Sequence, residues 1–237
     1  MNQFVATMPA AYARLYNASE VAEHAAIVLR RAARLVHAEQ WQSAKGPLLC
    51  VVAEDRPGLL ALVTDALLLQ GMAIQSARAF CRELANDRDE AVDFLELRAL
   101  GGPDGVAAQL ESDELHAFVQ SLSDLIADDM AQRPVPDTVS APRADSRPTT
   151  RVYFERQSLA DGRYLLVVDA PDSDGLLHAV SSALHEREMR IAACEIRTLG
   201  GRARDRFEVE PSAQRTLNDG ELCDVQLAVL AALPSRR

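Results

Sequence analysis

At 237 residues the chain is long enough for one large or two small domains, each able to bury a core. A net charge of -10 and a sequence pI ≈ 5.0 argue against non-specific nucleic-acid binding, which needs a basic face to displace counterions. The apolar run from Leu59 to Leu69 is interrupted by Thr64 and Asp65 and is too short to span a bilayer. The N-terminus shows no basic stretch followed by an apolar one, so a cytoplasmic protein without membrane contact is expected. Cys50, Cys81, Cys194 and Cys223 lack CxxC spacing, which predicts reduced thiols rather than a zinc site or a disulfide framework.

In chain order, residues 1–45 read as a helical N-terminal segment. Asn17 is placed to cap a helix with Glu20 as its capping-box partner, and Val21, Ala25, Val28, Ala32 and Leu35 recur at helical spacing. After Gly46 and Pro47 the continuous apolar run LLCVVAE predicts a strand. Leu59, Leu60, Val63, Ala66 and Leu67 then make a helix face, with Gly71 placed to stop it. AIQSARAF and AVDFLELRAL read as strands flanking the polar loop RELANDRD, and a helix fits Asp113 to Asp129. Residues 131–150, with four prolines among Ser, Thr, Asp and Arg, read as an extended linker. Beyond it RVYFERQ and RYLLVVDA are strand-like around a turn at SLADG, and Leu176, Leu177, Val180, Ala183 and Leu184 repeat the helical stripe. IAACEIRTL and ARDRFEVE form a strand pair across Gly200 and Gly201, and a last helix fits Asp219 to Leu233.

The strongest feature is an internal repeat. The separation of Asp55 from Asp172, 117 residues, also carries Leu49, Gly58, Leu59, Leu60, Val63, Met72 and Ile74 onto identical residues. Past the first hairpin the offset falls to 112, with Ala91, Asp93 and Glu96 matching Ala203, Asp205 and Glu208. Each copy reads strand, helix, strand, strand, helix, the pattern of an α+β sheet with helices on one face. RVYFERQ is available to close the first sheet, and no comparable strand follows Leu233.

EDRPGLL with a following helix, a glycine and a strand of the type AIQSARAF resembles the ACT domain, a ferredoxin-like βαββαβ module that commonly binds amino acids. RVYFERQSLADGRYLLVVDAPDSDGLL with MRIAACEIRTLGGRARDRFEV more closely resembles the second ACT domain of the bifunctional PII uridylyltransferase/uridylyl-removing enzyme family. YARLYNASEVAEHAAIVLRRAA is similar to the helical segment before that family's ACT pair. The resemblance implies two tandem ferredoxin-like domains, 46–130 and 151–237. It also implies a non-catalytic regulator that senses glutamine or another small amino acid and acts on a nucleotidyltransferase or PII-type partner in nitrogen metabolism. The alternative is a tandem ACT module that only dimerises or holds a partner. No nucleotidyltransferase Gly-Ser with paired aspartates and no His-Asp metal cluster occurs in the sequence, so neither catalysis, a metal nor a cofactor is expected. A monomer and a homodimer both remain open.

The turn chemistry points to a site. A strand ending in Asp-x-x-Gly at a helix start leaves backbone N–H groups free for a carboxylate. Asp55 either caps its own helix or receives a ligand ammonium, Pro57 fixes the turn, and Gly58, Leu59 and Leu60 offer N–H groups. The ligand side chain is expected toward Gln75 and Ser76. In the second copy Asp172, Gly175 and Leu176 persist, but Ser173 and Asp174 replace Arg-Pro and Glu188 replaces Gly71, so a weaker site is expected. His178 and His185 read as helix surface, and His24, His37 and His116 as single histidines in helical patterns.

Overall fold

The computed structural model describes residues 2–9, 12–84, 89–102, 106–131, 150–155, 162–213 and 215–234. The expected linker, the tip of RELANDRD and nearly all of SLADG lie outside them. The elements are α1 (Asn2–Thr7), a 3-10 turn (Tyr12–Arg14), α2 (Ala18–Arg31), β1 (Val36–Ser43), β2 (Gly46–Glu54), α3 (Leu59–Leu69), β3 (Met72–Glu83), β4 (Asp89–Ala99) and α4 (Ser112–Ala131). They continue with β5 (Arg151–Phe154), β6 (Tyr164–Pro171), α5 (Leu176–Glu186), β7 (Met189–Leu199), β8 (Arg202–Pro211) and α6 (Asp219–Ala232). The eight strands form one antiparallel sheet in the order β1-β2-β4-β3-β7-β8-β6-β5. Each half of it is ferredoxin-like, so the fold is α+β with two such units in tandem.

Two sequence expectations change. Val36–Ser43 is not helical: it is the edge strand β1, joined to β2 by the two-residue Ala44–Lys45 turn. RVYFERQ does not close the first half, because β5 pairs with β6. Both halves therefore receive their edge strand before the repeat rather than after it, and each runs ββαββα. This answers why no strand is needed after Leu233.

The halves join through β3 and β7, with Ser76 opposite Arg197 and Phe80 opposite Ala193. In that register Arg78 faces Glu195, its own counterpart at the 117-residue offset, so a local two-fold axis passes between them. Both strands carry an irregularity at matching positions, between Ile74 and Ser76 and between Ile191 and Ala193. On one face α3, α4, α5 and α6 pack over a continuous core that includes Leu49, Val51, Phe118, Leu166, Val168 and Phe207. On the other, α1, the 3-10 turn and α2 cover only the first half, against Cys50, Val52, Phe80, Val92 and Phe94. That is why LLCVVA, residues 48–53, is apolar at every position: its alternate residues feed two cores.

The asparagine at position 17 caps α2 as expected, with Glu20 completing the capping box. His24 on this helix is fully buried, and its Nδ1 lies 2.6 Å from the Tyr12 hydroxyl, while Nε2 has no partner among the described residues. Its ring sits 4.2 Å from those of both Trp41 and Phe94. Burial lowers its pKa from 6.5 to about 4. The neutral ring is thus the one that fits, and the folded state loses stability as pH falls from 6.5 toward about 4. The expected loss is about 3 kcal/mol, read as an acid transition of Trp41 fluorescence that His24→Gln flattens.

Glu188 occupies the place of Gly71, at φ +55 against +70. A left-handed conformation costs a residue with a Cβ about 1–2 kcal/mol, partly offset by glycine's greater chain entropy. Glu188→Gly is therefore expected to stabilise by about 0.5–1 kcal/mol in chemical denaturation.

Candidate functional site

The two Asp-x-x-Gly turns build matching starts for α3 and α5. Gly58 and Gly175 are the N-cap residues, at φ +82 and +79, and neither helix has a side-chain cap. Asp55 therefore does not cap its helix. Gly58 has a second reason to be glycine: a Cβ there would lie 3.0 Å from Cγ of His185, reaching over from α5. The Leu59 N–H donates to the Arg56 carbonyl at 3.2 Å. The N–H groups of Gly58 and Leu60 have no acceptor among the described residues.

Asp55 instead meets the second repeat. Its carboxylate accepts from Nε of Arg190 on β7 at 2.8 Å. The same guanidinium donates to Asp89 at 2.5 Å, to Cys81 Sγ at 2.8 Å and to Glu210 at 3.0 Å. The ligand atoms of Asp55, Cys81 and Asp89 lie within 4.8 Å of one another, a spacing a metal ion could use, but the guanidinium stands among them. Arg56 directs its guanidinium to the last turns of α4, through the Ile126 carbonyl at 3.2 Å and Asp129 at 2.7 Å, where a cation suits the helix C-terminus. In the second copy Asp174 pairs with Arg98, which is itself buried. Its charge is thus matched, and it does not act as a free anion beside Asp172.

Two clefts follow from this packing. The first is bounded by Asp55, Gly58, Leu59, Leu60 and Asp93 from the first repeat and by Ile191 and Ala192, the irregularity of β7, from the second. The second is its repeat-related image, with Asp172, Gly175, Leu176, Leu177 and Asp205 facing Ala73 and Ile74 of β3. Each encloses ≈ 30 Å³, about the space of a water molecule.

The acids inside are strongly perturbed. Asp93 is 4% exposed and finds no hydrogen-bond partner among the described residues; burial, with Asp55 nearby, pushes its pKa up to about 8. Asp205 is pushed up to about 7 by burial, although its carboxylate accepts from the Arg197 N–H at 3.3 Å. Burial also raises Asp55, with Arg190 acting against the rise.

The structure thus brings Asp55, Gly58, Leu59 and Leu60 together. Pro57 stands in the same turn without bounding the cleft. Gln75 and Ser76 bound neither cleft: the Gln75 Oε1 is buried with no partner among the described residues, and Ser76 donates to Glu96 at 2.7 Å beside a different cavity. The wall expected from Gln75 comes from the other repeat. Asp93, Asp205 and Arg190 were missed as site residues. An acid at the same repeat position in two apolar strands was the available signal for the aspartates. The histidines also differ from expectation: His178 lies 3.0 Å from Asp65 and His185 packs on Gly58, both at the α3–α5 contact, while His37 is in β1.

Fold and clefts define a duplicated ferredoxin-like α+β module whose two units share one sheet and enclose paired acidic clefts. The chain is 30% identical over 190 residues to the bifunctional uridylyltransferase/uridylyl-removing enzyme of Xanthomonas oryzae pv. oryzae, an alignment covering 77% of this chain and 20% of that one. The enzymes of the same name from Novosphingobium aromaticivorans and Erythrobacter litoralis are 30% and 29% identical over 205 and 211 residues, covering 83% and 85% of this chain. The chain spans about a fifth of the length of the curated relatives it matches. No family model matches it. No helix among the described residues is long and apolar enough to cross a membrane.

Proposed function

We propose that the chain is a non-catalytic regulatory module of cytoplasmic nitrogen metabolism, in which residues 36–131, including the edge strand β1, and 151–237 act as two ACT-type units. The first cleft binds a small amino acid, with glutamine the first to test, and the bound state is read by a nucleotidyltransferase or PII-type partner. The observation that carries this reading is Asp93, a buried carboxyl facing Asp55 beside the N–H groups of Gly58 and Leu60, none of the three with a hydrogen-bond partner among the described residues. A ligand ammonium suits the two acids and a ligand carboxylate suits the N–H groups. As the cleft holds only ≈ 30 Å³, the ligand enters as Arg190 draws away from Asp55. Its ammonium then takes over the guanidinium's ion pair. Melting of the intact chain with each of the twenty amino acids tests this reading. A ligand at a hundred times its Kd stabilises by about 2.7 kcal/mol, so at least one should raise the melting temperature, and a set without effect removes the reading. A second reading, a tandem module that holds a partner without sensing, is favoured by Arg190 already filling the acidic site. It requires partner capture that no amino acid changes.

A further inference from the structure

A cavity of ≈ 420 Å³ lies on the opposite face of the sheet from the clefts, between the N-terminal segment, the β1–β2 turn and the β3–β7 junction. Its size is in the range of small-molecule pockets. One wall is aromatic. The rings of Tyr16 and Trp41 stand 6.2 Å apart at 72°, and those of Trp41 and Phe94 5.7 Å apart at 64°, so they form a corner rather than a stack.

The floor is charged and balanced. Arg78 and Glu195 meet at the local two-fold axis, 3.8 Å apart, with Glu96 on one side and Arg197 on the other. Glu96 uses one oxygen to accept from Ser76. At the rim Lys45 and Glu20 repeat the balance. A free anion here would face two floor carboxylates, and a free cation two guanidiniums. A neutral, flat group whose edge carries both N–H donors and carbonyl or ring-nitrogen acceptors satisfies both kinds of floor residue and stacks on the aromatic wall.

We infer that this cavity binds a nucleoside, its base lying against Tyr16, the half-buried ring of the aromatic wall, with its donor edge on Glu96 and its acceptor edge on Arg78. The site is independent of the amino-acid clefts, which lie across the sheet from it.

Trp41 is the chain's one tryptophan and bounds this cavity, so at constant pH its emission responds to a ligand there. Titration of the intact chain with adenosine, guanosine, cytidine and uridine, followed by Trp41 fluorescence and by calorimetry, should give a saturable change with at least one of them. Glu96→Gln and Arg78→Gln should each weaken that binding tenfold or more while melting close to the unsubstituted chain. If one variant melts low, the other carries the test. Absence of saturation with all four nucleosides overturns the proposal, as does binding that both folded variants retain in full. Saturation by phenylalanine with none by the nucleosides also overturns it, because the cavity then recognises an aromatic zwitterion.

Discussion

Arg190→Met is expected to destabilise the chain by about 3–5 kcal/mol, the usual consequence of removing one member of a partly buried ionic cluster. Arg190 faces Asp55, Asp89 and Glu210 together, and its loss leaves Asp55 and Asp89 close to each other with no guanidinium between them. The side chain of Asp55 is only 8% exposed, so water compensates it poorly. Burial already raises the Asp55 pKa, and loss of the guanidinium that acts against the rise lifts it further above the unfolded value. Its contribution is therefore greatest at low pH and is lost as pH rises, so the deficit should widen on going from acid to neutral solution. Adding Asp55→Asn should recover part of the loss in a double-mutant cycle, because it removes the charge left without a partner. If the cleft takes an ammonium, Arg190→Met should also bind the amino acid more tightly than the intact chain and regain stability on binding. Its guanidinium no longer competes for Asp55. Equal stability with and without Arg190 would mean that water already screens the cluster.

Asp93→Asn is expected to act in the opposite direction on stability. A carboxyl with its pKa raised to about 8 contributes fully below the unfolded value near 3.8 and loses that contribution as pH rises toward about 8. At neutral pH the intact chain holds Asp93 at a cost of up to about 4 kcal/mol relative to its acid form. Asparagine keeps the shape and cannot ionise. The variant should be more stable by about 1–3 kcal/mol at neutral pH, with the gain shrinking in acid, as followed by denaturant midpoints across pH. It should also bind an amino acid at least tenfold more weakly, since a charge-assisted hydrogen bond is worth roughly 1.5–3 kcal/mol. Gain of stability with loss of ligand is the pattern of a residue kept for function.

Much of this was legible in the sequence because it rests on local rules and on duplication. The capping box at Asn17 and Glu20, the helix stop at Gly71 and the equivalence of Asp55 with Asp172 needed only spacing. What was not legible depends on contacts between distant segments. Arg190 stands 135 residues from Asp55, and nothing near either position announces their meeting. β1 was read as helix because His37, Glu39 and Gln40 interrupt its apolar pattern. Val36 and Ala38 join the core under the helices while Trp41 joins the opposite one. Its Ala44–Lys45 turn lacks the Asn-Gly or Asp-Gly chemistry that marks a hairpin. The sequence is compatible with Asp55 as a cap or as a ligand group, and the left-handed Gly58, which carries the N-cap position without a side-chain bond, excludes the cap.

The most direct test of the amino-acid cleft is proton release on binding. In the free chain at pH 7 Asp93, with a pKa of about 8, is mostly protonated. An incoming ammonium favours the carboxylate, so the proton should leave as the ligand arrives. Calorimetric titration of the intact chain with the amino acid that raises its melting temperature, repeated in buffers of differing ionisation enthalpy, reads that proton. The cleft described above predicts release of close to one proton per ligand, abolished in Asp93→Asn. Binding with no proton released, or with the same release when Asp93 is asparagine, would contradict it.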